Sequence, residues 1–252
     1  MSRFAVILPA AGSSIRFGKR KADPLTGARS KKPFVELKGR PVWVRAAEVF
    51  ANREDVAQML IVIAPDDVEF FKEKFQANLA FMAIEIVEGG AARMDSVRNA
   101  LARVRSDVDF VAVHDAARPL IVSRWIDTVF AAAEKSGAAI PALPIASTVK
   151  RVAGDTIEDT VAREGLWTAQ TPQVFRRELL LDAFARWQGG PATDESQMVE
   201  QIGHTVSVVK GWPLNIKITT QADFKMAESL VGALPKDEGG RSLHPFADDR
   251  FL

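Results

Sequence analysis

The sequence contains no cysteine. That absence removes disulfides, thiolate nucleophiles and cysteine-based zinc sites in one step, and it fits a reducing compartment. Histidine is scarce: His114, His204 and His244 are the only three, which argues against a metal site built from histidine alone. Excess charge of one sign is missing too, since 33 Lys and Arg face 32 Asp and Glu and leave a formal net charge of +1. No global field then draws the chain to nucleic acid or anionic lipid, so any anion site must be built locally. Nor is any apolar run long enough to span a bilayer. Phe4-Ala5-Val6-Ile7-Leu8 imitates the apolar part of a signal peptide and Ala10-Ala11-Gly12 its cleavage site, yet the run is short and only Arg3 precedes it. The expectation is a cytoplasmic protein whose first element is a buried strand.

What is present is ordinary for a folded protein in water: 252 residues, 47% of them hydrophobic and 26% charged. That length holds one large domain or two small ones. Continuous apolar runs at Phe4 to Leu8, Met59 to Ala64, Ala83 to Val87, Phe110 to His114, Ala138 to Leu143 and Val206 to Val209 predict strands covered on both faces. Helix-period stretches lie between them, at Pro41 to Ala51, Asp66 to Asn78, Met94 to Val104 and Ser123 to Lys135. Pro41 suits a first helical turn and Ser123 a cap.

Such alternation predicts an α/β fold with a doubly wound, mostly parallel sheet and ligands at the carboxyl ends of its strands. From about Ile145 to Gln173 the rhythm breaks: Thr148 to Val152 and Thr156-Ile157 flank Ala153-Gly154-Asp155, a hairpin arm that asks for a partner to cover it. Residues 1–234 read as a single domain carrying this arm, and 235–252, with Pro235, Gly239, Gly240 and Pro245, as a loosely ordered tail. There is no internal repeat.

Directly after the first strand comes Pro9-Ala10-Ala11-Gly12-Ser13-Ser14-Ile15-Arg16-Phe17-Gly18-Lys19, whose small residues let backbone N–H groups approach an anion. It is not a P-loop, because Gly12 and Gly18 are one residue too far apart and Arg20 stands where a metal-binding hydroxyl belongs. It is not a dinucleotide fingerprint either, because Ser14 and Ile15 fill the region of the second and third glycines. Arg16, Lys19, Arg20, Lys21, Arg29, Lys31 and Lys32 follow, with Asp23 the only acid among them. A solvated basic loop is one reading. Its place at the end of a strand, behind an anion cradle, favours the other, a triphosphate site.

Val113-His114-Asp115-Ala116-Ala117-Arg118-Pro119 ends another predicted strand, which brings Asp115 to the same end of the sheet. A carboxylate there suits Mg²⁺ shared with phosphate oxygens, or else a helix cap or a partner for Arg118. His114 reads as a satisfied core histidine. Gly89-Gly90 with Arg93 and Ser96 sits between a strand and a helix, where both side chains are available to a base, ribose or phosphate. Thr193-Asp194-Glu195 reads most simply as a cap with acids at the positive end of a helix dipole. Lys217, within Asn215-Ile216-Lys217-Ile218-Thr219, is a surface lysine or a phosphate clamp, and spacing does not decide.

In this order, these motifs together with Gln170-Thr171-Pro172-Gln173 closely resemble the 2-C-methyl-D-erythritol 4-phosphate cytidylyltransferase family over about Phe4 to Val231. The resemblance implies a Rossmann-like nucleotidyltransferase fold and a homodimer in which the arm reaches the partner's active site. By the same resemblance Ala10, Ala11, Gly12 and Ser13 hold CTP, with Arg93 and Asp115 also on its side. Arg16 and Lys32 bind its phosphates, Gly89 and Ser96 meet cytosine and ribose, and Asp115 approaches Mg²⁺. Thr148, Arg163, Thr193 and Lys217 surround the polyol phosphate acceptor, Arg163 coming from the other subunit. Arg16, Lys32 and Lys217 carry catalysis.

The sequence departs from the family pattern in a longer loop between Gly18 and Lys32, in Ser13-Ser14-Ile15, in Pro33 and in Ser147. Transfer to another polyol phosphate such as ribitol 5-phosphate and a catalytically silent nucleotide-binding role are the alternatives. Thr148 with Arg163 speaks against the first, and joint retention of Arg16, Lys32, Asp115 and Lys217 against the second. Nucleic-acid binding lacks both a positive field and aromatics interleaved with the cations.

Overall fold

A computed structural model describes residues 1–12 and 32–235. The basic loop from Ser13 to Lys31, including Arg16, and the tail beyond Pro235 lie outside the described residues, as does the side chain of Lys32.

Strand β1 (Phe4–Pro9) sits at the centre of the main sheet, with β4 (Val56–Ile63) parallel on one side and β6 (Phe110–Val113) parallel on the other. β5 (Ile84–Glu88) extends the sheet beyond β4, again in parallel. Each central strand divides its side chains between two cores. Phe4, Val6 and Leu8 of β1 join Met59, Ile61 and Ile63 of β4 on one face, while Ala5 and Ile7 join Leu60 and Val62 on the other. The period of two along a strand turns a continuous apolar run into two buried faces. Helices α1 (Val42–Ala51), α2 (Val68–Phe81) and α4 (Ser123–Ser136) cover the first face. The second is covered by α3 (Arg93–Leu101), α5 (Arg177–Arg186) and α6 (Glu195–Gln201). The chain moves from β1 to β4 and β5 on one side, then crosses to β6 on the other, so a crevice opens at the carboxyl end of β1.

The far half of the sheet is mixed. β7 (Ala138–Pro144) pairs with antiparallel β10 (Trp167–Ala169) and β11 (Gln173–Arg176) and with parallel β12 (Ser207–Lys210), and β11 links it to β6. The expected arm is therefore shorter than 145–173: within it only β8 (Val149–Ala153) and β9 (Thr156–Val161) form a separate two-stranded ribbon, while a second small pair, β2 (Glu36–Leu37) with β3 (Arg40–Pro41), precedes α1. Gly154 turns it with a φ of 57°, which a side chain disfavours.

Helix starts differ from expectation in three places. Pro41 caps α1 from outside instead of lying in its first turn, and Pro65–Asp67 form a 3-10 turn before α2 begins. Val122 occupies the cap of α4; Ser123, one residue inside, accepts a hydrogen bond from Arg53 Nη1 at 3.1 Å. A third, smaller core of Leu37, Val42, Leu120, Ile218, Phe224 and Ala227 seats α7 (Gln221–Leu230) and the chain before it.

Candidate active site

Three loops leave the carboxyl ends of β1, β5 and β6 and meet. Ala10 N–H donates to Val62 O at 2.9 Å and Gly89 N–H to Ile63 O at 2.8 Å, which pins the first two loops to β4 between them. A Cβ on Gly89 would stand 2.5 Å from Ala11 Cβ, and one on Gly90 2.4 Å from Asp95 Cβ. Glycine at 89 lets the two loops touch, and glycine at 90 lets its own turn close on the first turn of α3. The cleft so formed has a volume of about 410 Å³, and Ala10, Ala11, Gly12, Gly90, Arg93, Ser96, Asp115 and Lys217 line it.

Seven of the predicted site residues thus converge: Ala10, Ala11, Gly12, Arg93, Ser96, Asp115 and Lys217, with Gly89 directly behind. Thr148 and Arg163 do not line the cleft; both are exposed beside the two-stranded ribbon, where Arg163 donates to Ala146 O. Thr193 precedes α6 and binds Gln197 Oε1 through N–H at 2.9 Å and Oγ1 at 3.2 Å. Ser13, Arg16 and the Lys32 side chain fall outside the described residues.

Two side chains expected to be available are already engaged. Ser96 Oγ accepts from Gly90 N–H and donates to Ala92 O, each at 3.1 Å, so it shapes the glycine turn. Arg93 is held by Glu195, through Nη1 at 2.6 Å and Nη2 at 3.1 Å, and its Nε lies 3.5 Å from Asp115 Oδ1. Glu195, expected as an acid at a helix dipole, is 1% exposed and 102 residues from its partner. The cap itself is Asp194, which accepts from Gln197 N–H at 3.1 Å.

Asp115 is the centre of the charge cluster. Its Oδ2 takes Lys217 Nζ at 2.8 Å and Arg118 Nε at 3.4 Å, adding to Arg93 on Oδ1. Burial alone pushes this carboxyl up, but Lys217, Arg93 and Arg118 outweigh it and hold it well below the usual carboxylate range. Burial likewise opposes the Arg93 charge, yet Glu195 and Asp115 raise it above an ordinary guanidinium. Three cations and two carboxylates leave the described cluster one positive charge, suited to a polyanion.

The Gln170 to Gln173 segment braces the site. Asp115 N–H donates to Thr171 Oγ1 at 3.1 Å, Asn215 Nδ2 donates to Thr171 O at 2.8 Å, and Gln170 and Trp212 exchange two hydrogen bonds. Arg118 Nη1 donates to Asn215 O at 2.7 Å, and Ile218 N–H donates to Ala117 O at 2.8 Å. With Ile218 seated in the third core, Lys217 is delivered to Asp115.

His114 is fully buried, as expected of a core histidine. Its Nε2 lies 3.1 Å from Arg118 O, which can only accept, so Nε2 carries the proton and Nδ1 accepts from the Thr171 hydroxyl at 3.1 Å. Burial pushes its pKa down from 6.5 to about 4. Between those values the unfolded chain binds a proton that the folded chain refuses, so stability falls as pH falls through this window. The full loss is on the order of 3 kcal/mol. Urea unfolding of His114→Gln from pH 6.5 to 4 is expected to lack that part of the slope seen in the unaltered protein; matching slopes would contradict it.

The fold and this cleft define a Rossmann-like nucleotidyltransferase: a doubly wound sheet, small-residue loops at its crossover, and a net cationic cluster where phosphates would lie. The family model described as 2-C-methyl-D-erythritol 4-phosphate cytidylyltransferase matches residues 4–233, and the chain belongs to that family. It is 40% identical over 238 residues to the Rhodopirellula baltica protein of that name, covering 90% of this chain and 94% of the other. The Solibacter usitatus protein of the same name is also 40% identical, over 95% of this chain and 98% of its own. Among solved structures, a 4-diphosphocytidyl-2C-methyl-D-erythritol synthase superposes with a TM-score of 0.76 at 29% identity, covering 92% of this chain and 99% of that one. The cytidylyltransferase of Thermus thermophilus does so with a TM-score of 0.70 at 30% identity, covering 92% and 100%.

Proposed function

We propose that this protein transfers the cytidylyl group of CTP to 2-C-methyl-D-erythritol 4-phosphate, releasing pyrophosphate. The observation that carries the reading is Lys217 on Asp115 at the mouth of the glycine-loop cleft, within a chain of this family. The acceptor's phosphate oxygen is already anionic. It attacks the α-phosphorus in line, a new P–O bond forms, the bond to the β-phosphate breaks, and the electron pair leaves with pyrophosphate. No general base is needed, which agrees with His114 having both ring nitrogens engaged.

The obstacle is repulsion between anions. The small-residue loops at Ala10 to Gly12 and at Gly90 make room for phosphate and nucleoside, Lys217 stabilises charge as it builds at the α-phosphate, and Arg16 and Lys32 bind the triphosphate. Thr148, Thr193 and Arg163 bind the acceptor, with Arg163 supplied by a second subunit. Supporting a homodimer, Val152 and Ile157 pair across the ribbon at 54% and 59% exposure, and Trp167 is half-exposed on β10. Residues 1–234 act as one domain in this reading, in the cytoplasm. Among the described residues no helix is long and apolar enough to cross a membrane.

A divalent cation fits the donor set in one way. Asp115 is the carboxylate lining the cleft, and no group of three potential ligands occurs among the described residues. That suits Mg²⁺ held chiefly by phosphate oxygens with Asp115 beside it. When bound, the ion neutralises phosphate charge. The test is pyrophosphate release with CTP and Mg²⁺ in parallel with 2-C-methyl-D-erythritol 4-phosphate and ribitol 5-phosphate. Release with the first acceptor alone, abolished by a chelator, is expected; release only with ribitol 5-phosphate, or with neither, would overturn the proposal.

A further inference from the structure

A cation lining a cleft for a polyanion would ordinarily be read as a phosphate ligand. Arg93 lines this cleft, yet all three of its guanidinium nitrogens face carboxylates of the protein: two on Glu195 and Nε toward Asp115. Glu195 is itself held in place without Arg93. On its two sides, Gln173 donates to Asp194 Oδ2 at 2.8 Å and accepts from Ser196 N–H at 3.1 Å. The bidentate pair therefore has an anchored, buried end at Glu195 and a more exposed one at Arg93, whose side chains are 1% and 27% exposed. Lys217 differs: its side chain is 37% exposed and its ammonium rests on Asp115 Oδ2 alone among the described ion pairs.

Resting on the function proposed above, we infer that Glu195 is a positioning residue that withholds Arg93 from the incoming triphosphate and dedicates it to Asp115, so that Lys217 can leave Asp115 for phosphate. Arg93 and Arg118 then keep Asp115 compensated after Lys217 has moved. The arrangement limits ground-state attraction for polyphosphate, which by itself does not raise turnover and slows release of pyrophosphate.

Glu195→Gln keeps the shape and removes the charge. Calorimetric titration with inorganic tripolyphosphate is expected to show binding about tenfold tighter than in the unaltered protein, because Arg93 gains a charge-assisted bond to phosphate. With CTP as substrate, KM and kcat are expected to fall together. The gain is expected to vanish in the double variant Arg93→Gln, Glu195→Gln, since it acts through Arg93. A merely structural Glu195 would lower thermal stability and leave tripolyphosphate affinity unchanged or weaker, and that result would overturn the inference. Should Glu195→Gln fail to melt cooperatively, Glu195→Asp, which breaks the bidentate pair, carries the same test with an expected gain of about threefold; unchanged affinity there overturns it equally. Absence of turnover in the unaltered protein would refute the proposed function alone, because the tripolyphosphate comparison needs no turnover.

Discussion

Replacing Lys217 with Ala is expected to lower kcat by about two to three orders of magnitude while the protein still unfolds cooperatively. The two halves of that expectation have separate causes. Lys217 reaches the cleft on an irregular segment in which Asn215 and Ile218 are fully buried, so the segment stays seated without it. Asp115 loses one of three cationic partners and keeps Arg93 and Arg118. In the proposed reaction, what disappears is a positive charge beside the pentacoordinate phosphorus as it gathers negative charge, and no other described cation at the cleft is similarly exposed and singly paired. Stopped assays of pyrophosphate release beside a thermal melt check both halves. A kcat within about threefold of the unaltered protein would remove Lys217 from catalysis.

Asp115→Asn is expected to act in the opposite order, on the fold first. Its side chain is 7% exposed, and the substitution leaves three cations facing one another around a neutral amide. Removing one of the two carboxylates from a buried ion cluster destabilises by about 3 kcal/mol or more. The Asp115 carboxyl sits well below its ordinary range, burial being outweighed by Lys217, Arg93 and Arg118. Its stabilising charge is therefore present above the usual carboxylate pKa and is lost only as pH falls below it, so the difference between variant and unaltered protein should be the same at neutral and mildly acidic pH. Urea unfolding measures it. A loss under about 1 kcal/mol would mean that the cluster is not held together by Asp115.

The parts legible in the sequence share one property: their signal is local. β1, β4 and β6 announce themselves as unbroken apolar runs because both their faces are buried, and the glycine and alanine loops follow directly at their ends. Strand position alone places Asp115 and Gly89 at one end of the sheet. The Arg93 to Glu195 pair has no such signal, since the partners are 102 residues apart and Glu195 opens a helix where an exposed acid is equally at home. Ser96 and Arg93 read as ligand-facing because sequence shows which groups can bond but not which bonds are already made. The extent of the arm is hidden for a related reason: Trp167–Ala169 and Gln173–Arg176 pair with β7 and β6, partners that the neighbouring sequence does not reveal. Gln170, Thr171 and Gln173 carry a recognisable motif, yet their work is to brace Asp115, Asn215 and Asp194 through hydrogen bonds visible only once folded.

Transfer at the α-phosphorus, the centre of this account, is tested most directly by phosphorus NMR of CTP, 2-C-methyl-D-erythritol 4-phosphate and Mg²⁺ incubated with the protein. Pyrophosphate is expected together with, in equal amount, a mixed diphosphate whose two phosphorus resonances couple to each other. Unchanged CTP, or CDP with inorganic phosphate from attack at the terminal phosphorus, would contradict it.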